Sequence, residues 1–165
     1  MIASSTLSRR RRLLAVLSGG FFGAIARFLL SLLIQSHFGK GWPYDILFIN
    51  TTGAFVLAFV TALADATFLI GPTRRLFITV GFLGAYTTFS ALALGDVLLF
   101  ASGNWFPAQL YMLLSMTGGV LAVLVGDRLG QRVISRRTRR SPVHDAMPEF
   151  SSDHAYQYGK RSEHL

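Results

Sequence analysis

Four long apolar runs constrain the fold of this chain more than any other feature of its sequence. They cover residues 13–34, 46–64, 76–101 and 108–126, and charged residues inside them are rare. About 20 apolar residues in a helix, at about 1.5 Å each, cross the roughly 30 Å hydrocarbon core of a bilayer. A composition that is 52% hydrophobic, with a mean hydropathy of +0.46, is also typical of membrane proteins. The sequence therefore predicts an all-α membrane protein with four transmembrane helices.

The positions of the basic residues predict the orientation of these helices. All of them except Arg27 and Lys40 lie before residue 13, in the pair Arg74–Arg75, or beyond residue 127. Four spans place these three regions on one side, and the positive-inside rule makes that side, with both termini, cytoplasmic. The net charge of +8 is thus interpreted as a topology signal rather than as a nucleic-acid surface. We predict a basic N-terminus (residues 1–12), a four-helix membrane domain (13–130) and a basic tail (131–165) that forms a short helical extension followed by disorder.

The first apolar run has an alternative interpretation. It follows four arginines and contains Ala24-Ile25-Ala26, so it imitates a cleaved signal peptide. Apolar residues continue well past that site, and three further spans follow. Both observations favour a helix that is retained in the membrane.

The third apolar run contains a ten-residue stretch that a simple anchor helix does not need. Residues 81–90 read Gly-Phe-Leu-Gly-Ala-Tyr-Thr-Thr-Phe-Ser. Gly in a helix interior costs about 1 kcal/mol relative to Ala, and Thr and Ser hydroxyls compete for backbone hydrogen bonds. In hydrocarbon a helix is interrupted only where protein or a polar cavity covers the break. We therefore predict a third helix that is broken at the membrane midplane, as at the ion sites of transport proteins.

Few side chains inside the runs could carry out chemistry. The ionisable ones are Arg27 and Asp96, and the chain contains no cysteine. Acid–base, nucleophilic and metal-assisted catalysis need groups that are missing here, so we predict that the chain is not an enzyme. The remaining polar residues are mostly uncharged, which suits passive handling of a small ion. They are Asn50, Thr51, Thr87, Thr88, Ser90, Tyr111 and Ser115.

Each of these positions also has a structural interpretation. Ser and Thr in spanning helices usually bond to their own backbone. We interpret Thr88 and Ser90 as structural polar residues, and Arg27 as one that seals an end of the bundle. Asn50 is the strongest functional candidate, because a membrane-buried amide is costly unless its donors and acceptor are satisfied.

Three motifs in this sequence resemble the CrcB/Fluc family of fluoride channels. They are Gly19-Gly20-x-x-Gly23-Ala24-x-x-Arg27, then Asn50 with Gly53, and Gly81-Phe82-x-Gly84-x-x-Thr87-Thr88-Phe89-Ser90. The similarity covers about residues 13–130. It implies passive export of fluoride by an antiparallel, dual-topology dimer with two pores, and a structural Na⁺ at the dimer centre that is not transported.

The resemblance also implies roles for individual residues. The backbone carbonyls of Gly84 and Thr87 match the positions that hold the Na⁺. Phe89 matches the first of two phenylalanines whose ring edges face the anion. The implied fluoride pathway consists of Asn50, Phe89, Tyr111 and Ser115.

The sequence departs from the family pattern at three positions. Leu92 stands where the second phenylalanine is expected, an acidic residue is displaced to Asp96, and Gly119 replaces a hydroxyl of the fourth helix. Leu92 and the arginine bias together suggest a heterodimer with an oppositely oriented homologous subunit, as an alternative to a homodimer. A non-conducting partner subunit is a further alternative. A small multidrug exporter is disfavoured, because it needs a carboxylate in the first span, where this chain has Arg27.

Overall fold

The computed structural model describes residues 9–66 and 70–138. The chain divides into two units, Met1–Ser135 and Arg136–Leu165, and the packing described below is that of the first unit. All secondary structure in the described residues is helical. The elements are α1 (Arg9–Phe38), α2 (Tyr44–Ala66), α3 (Pro72–Arg75), a π-helical segment (Leu76–Phe82), α4 (Leu83–Tyr86), α5 (Phe89–Ala101) and α6 (Trp105–Thr138).

Four helical stretches are long and apolar enough to cross a membrane, which confirms the predicted number of spans. They are Arg9–Phe38, Tyr44–Asp65, Pro72–Ala101 and Trp105–Arg136. Large apolar side chains on all four, such as Phe21, Phe48, Val97 and Val120, are more than half exposed. An apolar exterior of this extent indicates contact with lipid or with another membrane subunit. The chain is therefore a multi-pass membrane protein.

The helices extend beyond the apolar runs. The first span begins at Arg9 rather than at residue 13, and the third begins at Pro72 rather than at residue 76. Proline is well suited to the first helical turn, where a backbone N–H has no partner. The last helix includes Trp105 and continues to Thr138, so the first part of the predicted tail is helical. Residues 139–165, for which disorder is predicted, lie outside the described residues.

Helix α1 crosses the π-helical segment at backbone contact distance. A Cβ atom added to Gly81 would lie 2.7 Å from the carbonyl oxygen of Val16, and one added to Gly23 would overlap the carbonyl oxygen of Phe82. Glycines at such crossings let membrane helices approach more closely than any side chain allows. This contact brings the first span against the segment that leads to the Thr87–Thr88 region.

The loop that follows α1 lies beside the start of α6. The Trp42 indole N–H donates to the carbonyl oxygen of Pro107 at 3.2 Å. At the same end, the buried Asp45 carboxylate accepts hydrogen bonds from Ser31 and from Gln35, the latter at 2.7 Å. A small core forms nearby from Leu92, Leu99, Ala108 and Tyr111. These contacts join α1, α2, α5 and α6 into one bundle.

Candidate ion site

The third span leaves the helical conformation for two residues. Thr87 has φ −80° and ψ 155°, and Thr88 has φ −152° and ψ 120°, both in the extended region. Before this break, the Thr87 N–H and hydroxyl both donate to the carbonyl oxygen of Leu83, at 3.0 and 2.9 Å. After it, the Thr88 hydroxyl caps α5 by accepting the N–H of Ala91 at 3.2 Å. Each helix end is therefore closed by a threonine.

Asn50 on α2 supplies the break with hydrogen bonds from another helix. Its Nδ2 donates to the carbonyl oxygen of Thr88 at 3.0 Å, and its Oδ1 accepts the Thr88 N–H at 2.9 Å. The side-chain amide thus pairs with both polar groups of one extended residue. Because Nδ2 carries two hydrogens, one donor remains after this pairing. Asn50 therefore positions the break, whatever role its second N–H plays.

Because of these hydrogen bonds, two backbone carbonyls lack the N–H donors that they would have in a continuous helix. In a continuous α-helix the Gly84 carbonyl would accept the N–H of Thr88, and the Thr87 carbonyl would accept that of Ala91. Here the first N–H bonds to Asn50 and the second bonds to the Thr88 hydroxyl. Within the described residues, neither carbonyl accepts a backbone hydrogen bond. They are the two carbonyls to which the family resemblance assigns the Na⁺, and unwound backbone carbonyls are suitable cation ligands.

An open cleft of about 350 Å³ lies beside the break. The predicted site residues that line it are Asn50, Gly84, Thr87, Thr88 and Phe89. Gly84 is exposed, and a Cβ atom added there would meet nothing within 4 Å. The Phe89 side chain is 78% exposed, so its ring extends outward from the subunit. The structure therefore brings five predicted residues to one open surface.

Two neighbours of Asn50 complete the contact between α2 and the break. A Cβ atom on Gly53 would overlap Cγ2 of Thr87 and lie 3.2 Å from the Tyr86 ring, so Thr87 can occupy its position only beside glycine. The Tyr86 hydroxyl is 3.0 Å from Oγ1 of Thr52. Sequence reasoning missed Thr52 and Tyr86 as a pair. The available signal was that Thr52 lies two residues after Asn50.

The predicted residues of the fourth span are separate from the cleft. Tyr111 is fully buried, and its hydroxyl has no hydrogen-bond partner among the described residues. The same holds for Oγ of Ser115 and for Oδ1 of Asp96. Leu92 lines the cleft and also belongs to the core cluster that contains Tyr111. The residue that stands where a second phenylalanine is expected is therefore buried, unlike the exposed Phe89.

Two further residues singled out by the sequence have different surroundings. The Ser90 hydroxyl is 3.1 Å from Oγ1 of Thr88, so it adds to the cap of α5. Arg27 is half-buried on α1, does not line the cleft, and forms no ion pair with another described residue. The described residues contain no group of three or more His, Asp or Glu side chains that could hold a metal.

The sequence of this chain is similar to those of a known protein family. Residues 14–127 match the family model described as CrcB-like protein, Camphor Resistance (CrcB). The chain belongs to the CrcB family. A relative from Trichormus variabilis is 43% identical and aligns with 73% of this chain and 89% of its own length. A relative from Chlorobium phaeobacteroides is 37% identical, with 74% and 95% covered, and one from Legionella pneumophila is 35% identical, with 73% and 90% covered.

All three CrcB-family relatives are named fluoride-specific ion channel FluC. The family predicted from the glycine, asparagine and threonine-phenylalanine motifs is thus confirmed. The relatives' names describe a channel rather than an enzyme. The matched region includes all the predicted site residues from Arg27 to Ser115.

Proposed function

We propose that this CrcB-family chain is a subunit of a fluoride-specific ion channel, not an enzyme, and that it lets fluoride leave the cytoplasm passively. The observation that carries the proposal is the hydrogen-bonding pattern at the break. Asn50 and the Thr88 hydroxyl remove the helical donors of the Gly84 and Thr87 carbonyls, beside the exposed Phe89. A chain that conducts no ion has no evident need for two free carbonyls beside an outward-facing ring.

The break is proposed to lie at the membrane midplane and to hold a structural Na⁺. The donor set fits this ion, because the Gly84 and Thr87 carbonyls are free of backbone donors and Gly84 is exposed. Two antiparallel subunits would together offer four such carbonyls. When bound, the ion supplies a fixed positive charge near the anion pathway. The cleft residues position these carbonyls, and Asn50 keeps the helix from closing over them.

Fluoride is proposed to pass along Asn50, Phe89, Tyr111 and Ser115. A pore for a tightly hydrated anion must replace water with donors while it still releases the ion. Asn50 retains one N–H, and the hydroxyls of Tyr111 and Ser115 are buried without a partner among the described residues. The edge of the Phe89 ring carries the positive part of the aromatic quadrupole. These groups offer partial positive charge without a full charge that would trap the ion.

The direction of transport follows from the membrane potential. Hydrogen fluoride enters a cell as a neutral acid and dissociates at the higher internal pH. A potential of 100 mV is worth about 2.3 kcal/mol per charge, so a negative interior favours exit of the anion. No coupling ion is required.

The arginine bias favours a cytoplasmic location for both termini, and an antiparallel dimer would then need a subunit of the opposite orientation. Leu92 supports a heterodimer, since this chain offers an aliphatic side chain where the family resemblance implies a second pore phenylalanine. The same observation favours a second candidate function, that of a non-conducting partner subunit. A homodimer containing both orientations is the third possibility.

Fluoride efflux from liposomes tests the proposal. The chain is reconstituted alone and with a candidate partner from the same genome, the potential is clamped with a potassium ionophore, and released fluoride and chloride are measured with ion-selective electrodes. We expect fluoride efflux without chloride efflux in at least one preparation. Efflux only with the partner supports the heterodimer, and unchanged efflux when this chain carries Phe89→Ile identifies a non-conducting subunit. No fluoride efflux in either preparation would overturn the proposed function.

A further inference from the structure

A second concave surface, which we name the basic groove, lies between the start of α1 and the start of the third span. It has a volume of about 540 Å³ and is lined by Arg11, Leu14 and Ala15 on one side and by Arg74, Phe77 and Ile78 on the other. It shares no residue with the cleft beside the break. The basic groove is therefore a feature separate from the proposed fluoride pathway.

The charge of the basic groove comes from two exposed arginines. Arg11 and Arg74 form no ion pair with another described residue, whereas the neighbouring Arg75 pairs with Asp65 at 2.7 Å. No acidic residue of the described ranges lines the groove, and the Ser18 hydroxyl is bonded to its own helix at 2.6 Å. A guanidinium group presents several N–H donors in a planar fork that matches phosphate oxygens. Two such groups facing one groove form an anion-binding surface.

The rest of the basic groove is apolar and lies within the membrane-spanning helices. Leu14 is 64% exposed, and Phe77 and Ile78 face it across the groove from the π-helical segment. The spans begin at Arg9 and Pro72, so the arginines lie within a turn of the helix starts and the apolar residues lie deeper. A surface that is cationic at the membrane boundary and apolar below it complements an anionic phospholipid, whose phosphate lies at the boundary and whose acyl chains lie deeper.

We propose that the basic groove binds an anionic phospholipid, with its phosphate at Arg11 and Arg74 and an acyl chain along Leu14, Phe77 and Ile78. Charge complementarity selects the head group, and the depth of the apolar wall selects a lipid over a soluble phosphate. The bound lipid contacts both α1 and the π-helical segment, so it links the first span to the third. This proposal rests on the membrane fold and does not depend on fluoride conduction.

The test compares two lipids on the purified full-length chain in detergent micelles. Dioleoyl phosphatidylglycerol is anionic and dioleoyl phosphatidylcholine is zwitterionic, with the same acyl chains. Binding is counted by native mass spectrometry, and protection is measured by thermal unfolding. Because each basic residue near a membrane surface contributes about 1 kcal/mol, Arg11→Gln/Arg74→Gln should weaken phosphatidylglycerol binding about 30-fold. Each single substitution should weaken it about fivefold.

A matched control removes the same charge one position further along each helix. Arg12→Gln/Arg75→Gln lies outside the lining of the basic groove and leaves both groove arginines in place, so it should weaken phosphatidylglycerol binding by less than about fivefold, the loss expected for a single groove arginine. If Arg11→Gln/Arg74→Gln fails to fold, the two single variants and the comparison of the two lipids on the unmodified chain test whether the basic groove binds an anionic phospholipid. Equal binding of the two lipids, equal loss in both double variants, or equal protection by inorganic phosphate would each overturn the proposal.

Discussion

Asn50 and Thr88 exchange two hydrogen bonds across the break, and removing them should destabilise the fold. Asn50→Ala deletes the bonds of 3.0 and 2.9 Å and leaves the Thr88 N–H and carbonyl without partners. Hydrogen bonds between membrane helices average about 0.6 kcal/mol, and a buried unpaired group costs about 1–3 kcal/mol. For two bonds, we expect a loss of about 1 kcal/mol in the free energy of unfolding if the Thr88 N–H bonds again within the third span, and of up to about 6 kcal/mol if both groups stay unpaired, measured in mixed detergent micelles.

The same variant should also change the response to sodium. Without Asn50, the Thr88 N–H is free to bond to the Gly84 carbonyl and close the helix, which removes a proposed Na⁺ ligand. We therefore expect fluoride efflux from liposomes to fall and to require more Na⁺. Asn50→Asp keeps an acceptor for the Thr88 N–H but sets a negative charge in the proposed anion path, so it should abolish efflux.

Thr51→Val is the matched control for Asn50→Ala. Thr51 is the next residue on α2, is half-buried, and forms no side-chain hydrogen bond with another described residue. Its substitution should change the free energy of unfolding by less than about 0.5 kcal/mol. If Asn50→Ala matched this control in stability, in efflux and in sodium dependence, the positioning role of Asn50 would be refuted.

Three further predictions concern the cleft and its ion. Phe89→Ile should reduce fluoride efflux about tenfold, the value of a ring-edge contact, and leave dimer assembly unchanged. Normal efflux from the chain alone would exclude Phe89 from the pathway, whereas normal efflux that requires the partner would identify this chain as a non-conducting subunit. Gly53→Ala should lower the free energy of unfolding by about 1–3 kcal/mol, because the added Cβ atom overlaps Thr87. Gly119→Ala is the control and should be neutral, since its Cβ atom would meet nothing within 4 Å. Equal unfolding free energies of the two variants would contradict the close packing of Gly53 against Thr87. Replacing Na⁺ by N-methylglucamine on both sides of the liposome membrane should lower fluoride efflux by the chain or its heterodimer. Unchanged efflux would refute the proposed structural Na⁺.

Much of the fold could be predicted from residue order alone. The number of spans depends on the lengths of apolar runs, which a single pass along the chain reveals, and these runs match the four membrane-crossing helices. The family could be predicted because its motifs are short and contiguous within each span. The helix ends were less predictable, because caps and turns set them: Pro72 starts a helix four residues before the apolar run, and Gly39, with φ 77°, follows the end of α1.

The partners of the break could not be predicted, since they depend on contacts between residues far apart in the chain. Asn50 meets Thr88 across 38 positions, and only their pairing explains which carbonyls lose their helical donors. The presence of Leu92 in both the cleft lining and the core with Tyr111 likewise follows from how α5 packs against α6. The apolar pattern of a sequence indicates which residues of a helix span the membrane. The hydrogen-bond partner of a polar side chain depends on which residue the neighbouring helix places beside it.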